Sequence, residues 1–225
     1  MSRTVLVVAA HPDDEVLGCG GTIARHVAEG DAVHVVFMSD GVGARLGDSE
    51  SPHDIGERRA AKTRALKILG VSSDRSFDFP DNRMDSVALL DIVKPLEALI
   101  HSVNPHMIYT HHYGDLNVDH RITHQAVLTA CRPQPGFAIR EILSFEIMSS
   151  TEWSDAGLRP FQPNMFVDVS AHWRKKIEAL DAYTIEMREA PHSRSLDHLE
   201  ALARHRGACV GVEKAEGFVV VRKIV

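Results

Sequence analysis

The chain has 225 residues, 44% of them hydrophobic, which suits one globular domain with a full core. Lysine and arginine number 25 against 31 aspartates and glutamates, and the formal charge of −6 speaks against nucleic acid or an anionic membrane as the main partner. No apolar run is long enough to insert across a bilayer, and strand-like sequence from Thr4 leaves no room for a signal peptide. Cys19, Cys131 and Cys209 lack metal-type spacing and fit idle thiols in a reducing cytoplasm.

Thr4 to Ala10 is an apolar run of the kind that forms a buried parallel strand. It leads into His11-Pro12-Asp13-Asp14-Glu15, and Leu17 to Glu29 then reads as a helix with Ile23, Val27 and Ala28 on one face. Gly18, Gly20 and Gly21 at its start let it sit close to the sheet. A second strand, Ala32 to Met38, is followed by a Gly/Ser/Asp/Pro-rich loop over 40–55, a usual setting for a substrate lid. Glu57 to Leu69 is a helix, Ser76 to Phe79 a short strand, Ser86 to Val103 a helix with Pro95 as a potential kink, and His106 to Thr110 another strand. Beyond His111-His112-Tyr113-Gly114-Asp115-Leu116-Asn117 a helix runs from Val118 to Arg132, broken by Pro133 to Gly136. Glu141 to Ile147 and Met165 to Val169 read as strands. Ser170 caps a helix to about Arg188, Ser195 another to about Arg206, and Phe218 to Val225 is a terminal strand. The β-α alternation predicts an α/β fold: a Rossmann-like, mostly parallel sheet flanked by helices, with a small C-terminal helix and strand added.

Fourteen histidines are many for this length, and several stand where predicted strands give way to helices. Ligands bind at the carboxyl ends of strands in such sheets. His11 and Asp14, three apart in one turn, supply two ligands of a catalytic zinc site, and His120 after the fourth strand supplies the third. Two histidines and a carboxylate also suit Fe2+. Asp13 beside the pair is the natural general base for a water activated by the metal. These parts describe hydrolysis of an amide or ester. Alone, His-Pro-Asp-Asp would also serve as an ordinary helix start, and Asp119 as a helix cap that orients a neighbour.

Ala10-His11-Pro12-Asp13-Asp14-Glu15, followed about a hundred residues on by Asp119-His120, resembles the PIG-L/LmbE family of zinc-dependent N-acetylglucosaminyl deacetylases. Ser39-Asp40-Gly41-Val42-Gly43-Ala44-Arg45, Leu69-Gly70-Val71, Phe79-Pro80-Asp81, Arg206-Gly207 and Ala215-Glu216-Gly217-Phe218 are similar to further family segments, so the resemblance spans nearly the whole chain. It implies His11, Asp14 and His120 as metal ligands, Asp13 as base, and removal of an acetyl group from an N-acetyl amino sugar or sugar conjugate. Arg45, Arg58 and Arg83 are substrate-binding candidates by position, joined by Asp40, Asp81 and His112. Many members carry a histidine three residues before the last ligand, where it stabilises the oxyanion and protonates the amine. Here that position is Asn117, whose amide donates a hydrogen bond but cannot act as an acid. Either Asp13 shuttles the proton alone or another histidine serves, His192 first and His112 behind it.

Two other readings stay open: an amidase acting on another small N-acyl compound or thiol–sugar conjugate, and a nucleotide-sugar binding protein that keeps the fold without turnover. Gly18-Cys19-Gly20-Gly21 lacks the dinucleotide-binding spacing. Assembly into a homo-oligomer is left undecided by the sequence.

Overall fold

A computed structural model describes residues 2–40, 52–155 and 157–225. Its elements in chain order are β1 (Thr4–Ala9), α1 (Asp14–Ala28), β2 (Ala32–Phe37), α2 (Pro52–Leu69), β3 (Ser73–Ser76), α3 (Leu89–Val103), β4 (Met107–His111), α4 (Val118–Ala130), β5 (Glu141–Phe145), β6 (Met165–Asp168), α5 (Trp173–Leu180), α6 (Leu196–Ala208) and β7 (Ala215–Lys223). The strands form one sheet in the order β3-β2-β1-β4-β5-β7-β6. The first five pair in parallel, while β7 runs antiparallel between β5 and β6. The expected C-terminal helix and strand are α6 and β7, and β7 is built into the sheet.

Strand alternation sorts the core into two layers. Val5, Val7 and Ala9 of β1 face α1, α2, α5 and α6 through Ile23, Ala65, Leu180 and Leu199. Leu6 and Val8 face α3 and α4 through Ile92, Leu96, Ala126 and Val127. With both faces covered, β1 must be apolar throughout, and that is the unbroken run seen in the sequence.

Strand β1 lies between β2 and β4, and the chain leaves β1 and β4 toward opposite edges of the sheet. This is the topological switch point, where a crevice opens beyond the carboxyl ends of the two strands. His11 follows β1 and His120 opens α4 just after β4, so the two sequence clusters meet there.

Three elements depart from expectation. The third strand is Ser73–Ser76, in register with His34–Phe37, and not Ser76 to Phe79. The helix expected from Ser170 to Arg188 is a 3-10 turn, then α5, then a second 3-10 turn over Asp181–Tyr183. Helix α1 starts at Asp14 and is interrupted at Cys19, with φ −149° and ψ 25°. Its close approach to the sheet is as expected, since a Cβ on Gly18 would strike the Phe145 ring. The interruption frees backbone groups, and one buried ion pair takes them up. Glu216 accepts from Gly21 N at 3.0 Å and Thr22 N at 2.7 Å, while Lys176 donates to Leu17 O at 2.8 Å and to Glu216 at 2.6 Å.

Candidate active site

The turn after β1 is built to present carboxylates. Asp13 is the N-cap of α1 and holds φ 112°, ψ −31°, a backbone position that costs a non-glycine residue about 1–3 kcal/mol. Two contacts over-determine it. The Asp13 N–H donates to Glu15 Oε2 at 3.0 Å, and Glu15 Oε1 accepts from the Tyr183 hydroxyl at 2.8 Å. Tyr183 lies in the second 3-10 turn, so the break in the expected helix delivers this hydroxyl. Burial pushes the Glu15 carboxyl up to about 8, with the Tyr183 bond working against it.

His11, Asp14 and His120 converge. Asp14 Oδ2 lies 3.5 Å from His11 Nδ1 and 3.4 Å from His120 Nε2. Donors bound at about 2.0–2.1 Å around a tetrahedral ion are about 3.3–3.5 Å apart, so the spacing suits zinc. Asp14 Oδ1, beside the oxygen that faces the two histidines, is buried with no hydrogen-bond partner among the described residues, so the carboxylate is not fully satisfied by the protein. Burial opposes charge on all three groups. Even so, His120 and His111 hold the Asp14 carboxyl well below its usual range, and Asp14 and Asp115 hold the His120 imidazole up at about 9.

Each histidine of the trio has its far nitrogen on a carboxylate, the arrangement that fixes ring orientation in metal sites. His120 Nδ1 is 3.2 Å from Asp115, which also accepts from the Ser150 hydroxyl, from Thr151 Oγ1 at 2.6 Å and from Asn117 N at 2.8 Å. His11 Nε2 is 3.0 Å from Asp119 and 3.1 Å from Asp81. Asp119 also accepts from Asn82 N at 2.6 Å and Met84 N at 3.0 Å, which ties the loop after β3 to the site. Asp119 is therefore placed to orient His11 and stands outside the cavity wall. His11, Asp81 and Asp119 form a second group close enough for a cation. The first group uses Nδ1 of His11 and leaves Nε2 its carboxylate partners, so it satisfies both ring nitrogens.

A cavity of about 420 Å³ opens over the trio, lined by His11, Asp13 and His120 on its floor. Asp13 Oδ2 accepts from Arg194 at 2.9 Å, and Arg194 is anchored by Ser149 Oγ at 2.6 Å. Burial pushes the Asp13 carboxyl up to about 7 against the pull of that guanidinium. Arg58, Asp81 and Asn117 also line the cavity, joined by Asn82, Leu116, Trp153, Glu186 and Arg194.

Other expected residues fall elsewhere. His192 is not among the lining residues. Its Nδ1 accepts from Arg194 N at 3.0 Å, and its ring sits against Trp153. His112 faces away, 3.0 Å from Arg159 O, because it follows His111 by one residue and emerges on the other side. His111 is the one that packs on the site, its ring 4.0 Å from that of His120. Its Nε2 accepts from Ala10 N at 2.8 Å, and burial with the neighbouring His120 brings its pKa down to about 4. Arg83 is exposed outside the cavity. Asp40 is not among the cavity's lining residues and lies in a small neighbouring recess with Pro12, Arg58 and Glu186. Arg45 lies outside the described residues. Asn117 caps α4, accepting from Asp119 N at 2.8 Å and donating to Asn82 at 2.9 Å.

Sequence reasoning passed over Asp115, His111, Arg194, Tyr183, Trp153 and Glu186. Asp115 stood in the histidine-rich stretch, five residues before the candidate ligand His120, and its placement just ahead of a helix was the available signal. Arg194 stood two residues from the histidine that drew attention.

Comparison with known proteins agrees with this fold. The family model PIG-L, described as GlcNAc-PI de-N-acetylase, matches residues 6–131. YaiS of Escherichia coli (strain K12), named an uncharacterized deacetylase, is 32% identical over 76% of this chain and 84% of its own length. Diacetylchitobiose deacetylase of Thermococcus kodakarensis is 27% identical over 96% of this chain and 82% of its own. The crystal structure of GalB, the 4-carboxy-2-hydroxymuconate hydratase of Pseudomonas putida KT2440, superposes with a TM-score of 0.80 at 26% identity, covering 99% of this chain and 98% of that one. With the family model matching residues 6–131 and a relative 32% identical over 76% of the chain, the chain belongs to the PIG-L family of de-N-acetylases.

Proposed function

We propose that this protein is a zinc-dependent N-deacetylase that removes the acetyl group from an N-acetyl amino sugar or sugar conjugate. The observation that carries the reading is the convergence of His11, Asp14 and His120 beneath a cavity whose floor also holds Asp13. The deacetylase names carried by two of the relatives give the reaction its class. His11, Asp14 and His120 hold the metal, which when bound supplies Lewis acidity to the acetamide carbonyl and to the attacking water. Asp13 takes the proton from that water. Arg194 fixes the orientation of the Asp13 carboxylate and offsets part of the rise in its pKa that burial causes. The Asn117 amide, which lines the cavity and donates to Asn82, would meet the oxyanion in place of the family histidine. With His192 behind Arg194, Asp13 is the group that returns the proton to the leaving amine. Fe2+ suits the same donors.

The test is acetate release from free N-acetylglucosamine, N,N'-diacetylchitobiose and nucleotide-linked N-acetyl sugars, by zinc-loaded protein and by Asp13→Asn. We expect release by the parent protein and a loss of at least about 100-fold in the variant, in line with general-base contributions. Undiminished release by Asp13→Asn would refute the mechanism. A second reading has its own support. The 4-oxalmesaconate hydratase of Pseudomonas putida is 30% identical over 79% of this chain, and the same base and metal would add water across an activated double bond. Loss of ultraviolet absorbance from an unsaturated polycarboxylate, without acetate release from any sugar, would favour it.

A further inference from the structure

The cavity walls state what kind of molecule they accept. Arg58 faces Glu186 at 3.6 Å and Arg194 faces Asp13 at 2.9 Å, so both arginines lining the cavity are already met by carboxylates. Asp81 adds a third carboxylate to the lining. A phosphate or polycarboxylate entering here would have to displace an existing ion pair.

The uncharged part of the lining is different in kind. Asn82, Asn117, Ser149 and Ser150 are neutral polar groups, and the hydrogen bonds they already make leave each amide or hydroxyl with capacity for a further one. Beside them Trp153 is 52% exposed and Leu116 50% exposed. The two belong to one wall, because Leu116 N donates to Ser150 O, three residues before Trp153. The Trp153 ring is braced edge-on by His192 at 5.7 Å and 79°. The expected proton donor therefore stands as the buttress of an aromatic surface. A braced indole at the mouth of a cavity, next to amides and hydroxyls, matches a pyranose ring with its apolar C–H face and hydroxyl rim.

We infer that the substrate is an uncharged glycoside of an N-acetyl amino sugar, whose ring stacks on Trp153, and not a phosphorylated, nucleotide-linked or polycarboxylate compound. The inference rests on the deacetylase reading for the acetyl group but on the cavity walls for the sugar. Its test uses two readouts. In the first, zinc-loaded protein is assayed for acetate release from N,N'-diacetylchitobiose, N-acetylglucosamine 6-phosphate and UDP-N-acetylglucosamine. The neutral sugar is expected to have the highest kcat/KM, by about tenfold or more. Trp153→Ala is expected to raise KM about tenfold with kcat changed less than threefold, and Trp153→Phe to recover most of the loss. In the second, diacetylchitobiose is titrated into Asp13→Asn and tryptophan fluorescence is followed. The other tryptophan, Trp173, is buried, so quenching reports Trp153. No acetate release with saturable quenching by the neutral sugar would sink the deacetylase reading and leave the platform standing. Preference for a charged sugar, an unmoved KM in Trp153→Ala, or no quenching would overturn the inference.

Discussion

Asp115 gives the sharpest test of the metal centre, because it touches neither the cavity nor the proposed ion. His120 Nδ1 has one carboxylate partner among the described residues, Asp115 at 3.2 Å, with Ser150 Oγ at a marginal 3.5 Å. Asp115 is itself fixed by Ser150, Thr151 and Asn117 N, and despite its burial the His120 charge and these bonds bring its pKa down to about 2. Asp115→Asn keeps the shape, removes the charge and weakens the hold on the ring. Partners of this kind are worth about 10–100-fold in metal affinity, or about 1.4–2.7 kcal/mol. His11 has two such carboxylates, Asp119 at 3.0 Å and Asp81 at 3.1 Å, so removing either leaves the other in place. Asp115→Asn should therefore weaken zinc binding more than Asp81→Asn does. The assay is competition for zinc with a chromophoric chelator at pH 7.5, with the metal-free unfolding curve of each variant recorded alongside. The gap in unfolding free energy between loaded and metal-free protein should shrink by the same 1.4–2.7 kcal/mol for Asp115→Asn. Equal affinities for Asp115→Asn and the parent protein would show that His120 does not hold the ion through Nε2.

Lys176→Met should lower stability by about 3–5 kcal/mol, read from the urea midpoint at constant slope, because it strands Glu216 in the interior and uncaps Leu17 O. A loss below about 1 kcal/mol would mean that the interruption at Cys19 does not depend on the pair. A third prediction concerns acid. Burial raises the Asp31 carboxyl, but bonds from the Arg3 backbone N–H and side chain and from His26 outweigh it and bring the pKa down to about 2 from 3.8. A depressed carboxyl stabilises fully above its unfolded value and loses that stabilisation as pH falls through the folded one. The parent protein should thus lose more stability than Asp31→Asn between pH 4 and pH 2, measured by chemical denaturation at each pH. Parallel losses in the two proteins would remove Asp31 from the account of acid sensitivity.

The legible parts of this protein are those set by local spacing. An apolar run ending in His-Pro-Asp-Asp marks a buried strand turning into a helix, and three residues of spacing bring the His11 and Asp14 side chains together. His120 was readable because it also stands where a strand gives way to a helix, and parallel strands bring such junctions to one edge. What escaped reading acts across the chain with no periodic mark. Arg194 meets Asp13 over 181 positions and Tyr183 meets Glu15 over 168. The broken helix belongs with these. Apolar spacing favoured one helix past Leu180, but the chain tightens into a 3-10 turn at Asp181–Tyr183, and the Tyr183 hydroxyl then reaches Glu15. His112 was preferred to His111 because nothing in the sequence marked which strand face met the crevice, and one residue reverses the face.

Asn117 is where the two kinds of information meet. Its departure from the family histidine reads as a loss when only proton donors are counted. In the fold it accepts from Asp119 N, so it caps the helix that carries His120, and it donates to Asn82. Asn82 N in turn donates to Asp119, the carboxylate that orients His11. One amide thus links the turns that aim both candidate histidine ligands. Replacing it with histidine adds a titratable ring but removes the cap oxygen and the bond to Asn82. The site as built has an amide in place of an acid here and ties together the turns around the candidate ligands; in the proposed mechanism the proton falls to Asp13, which Arg194 holds in position.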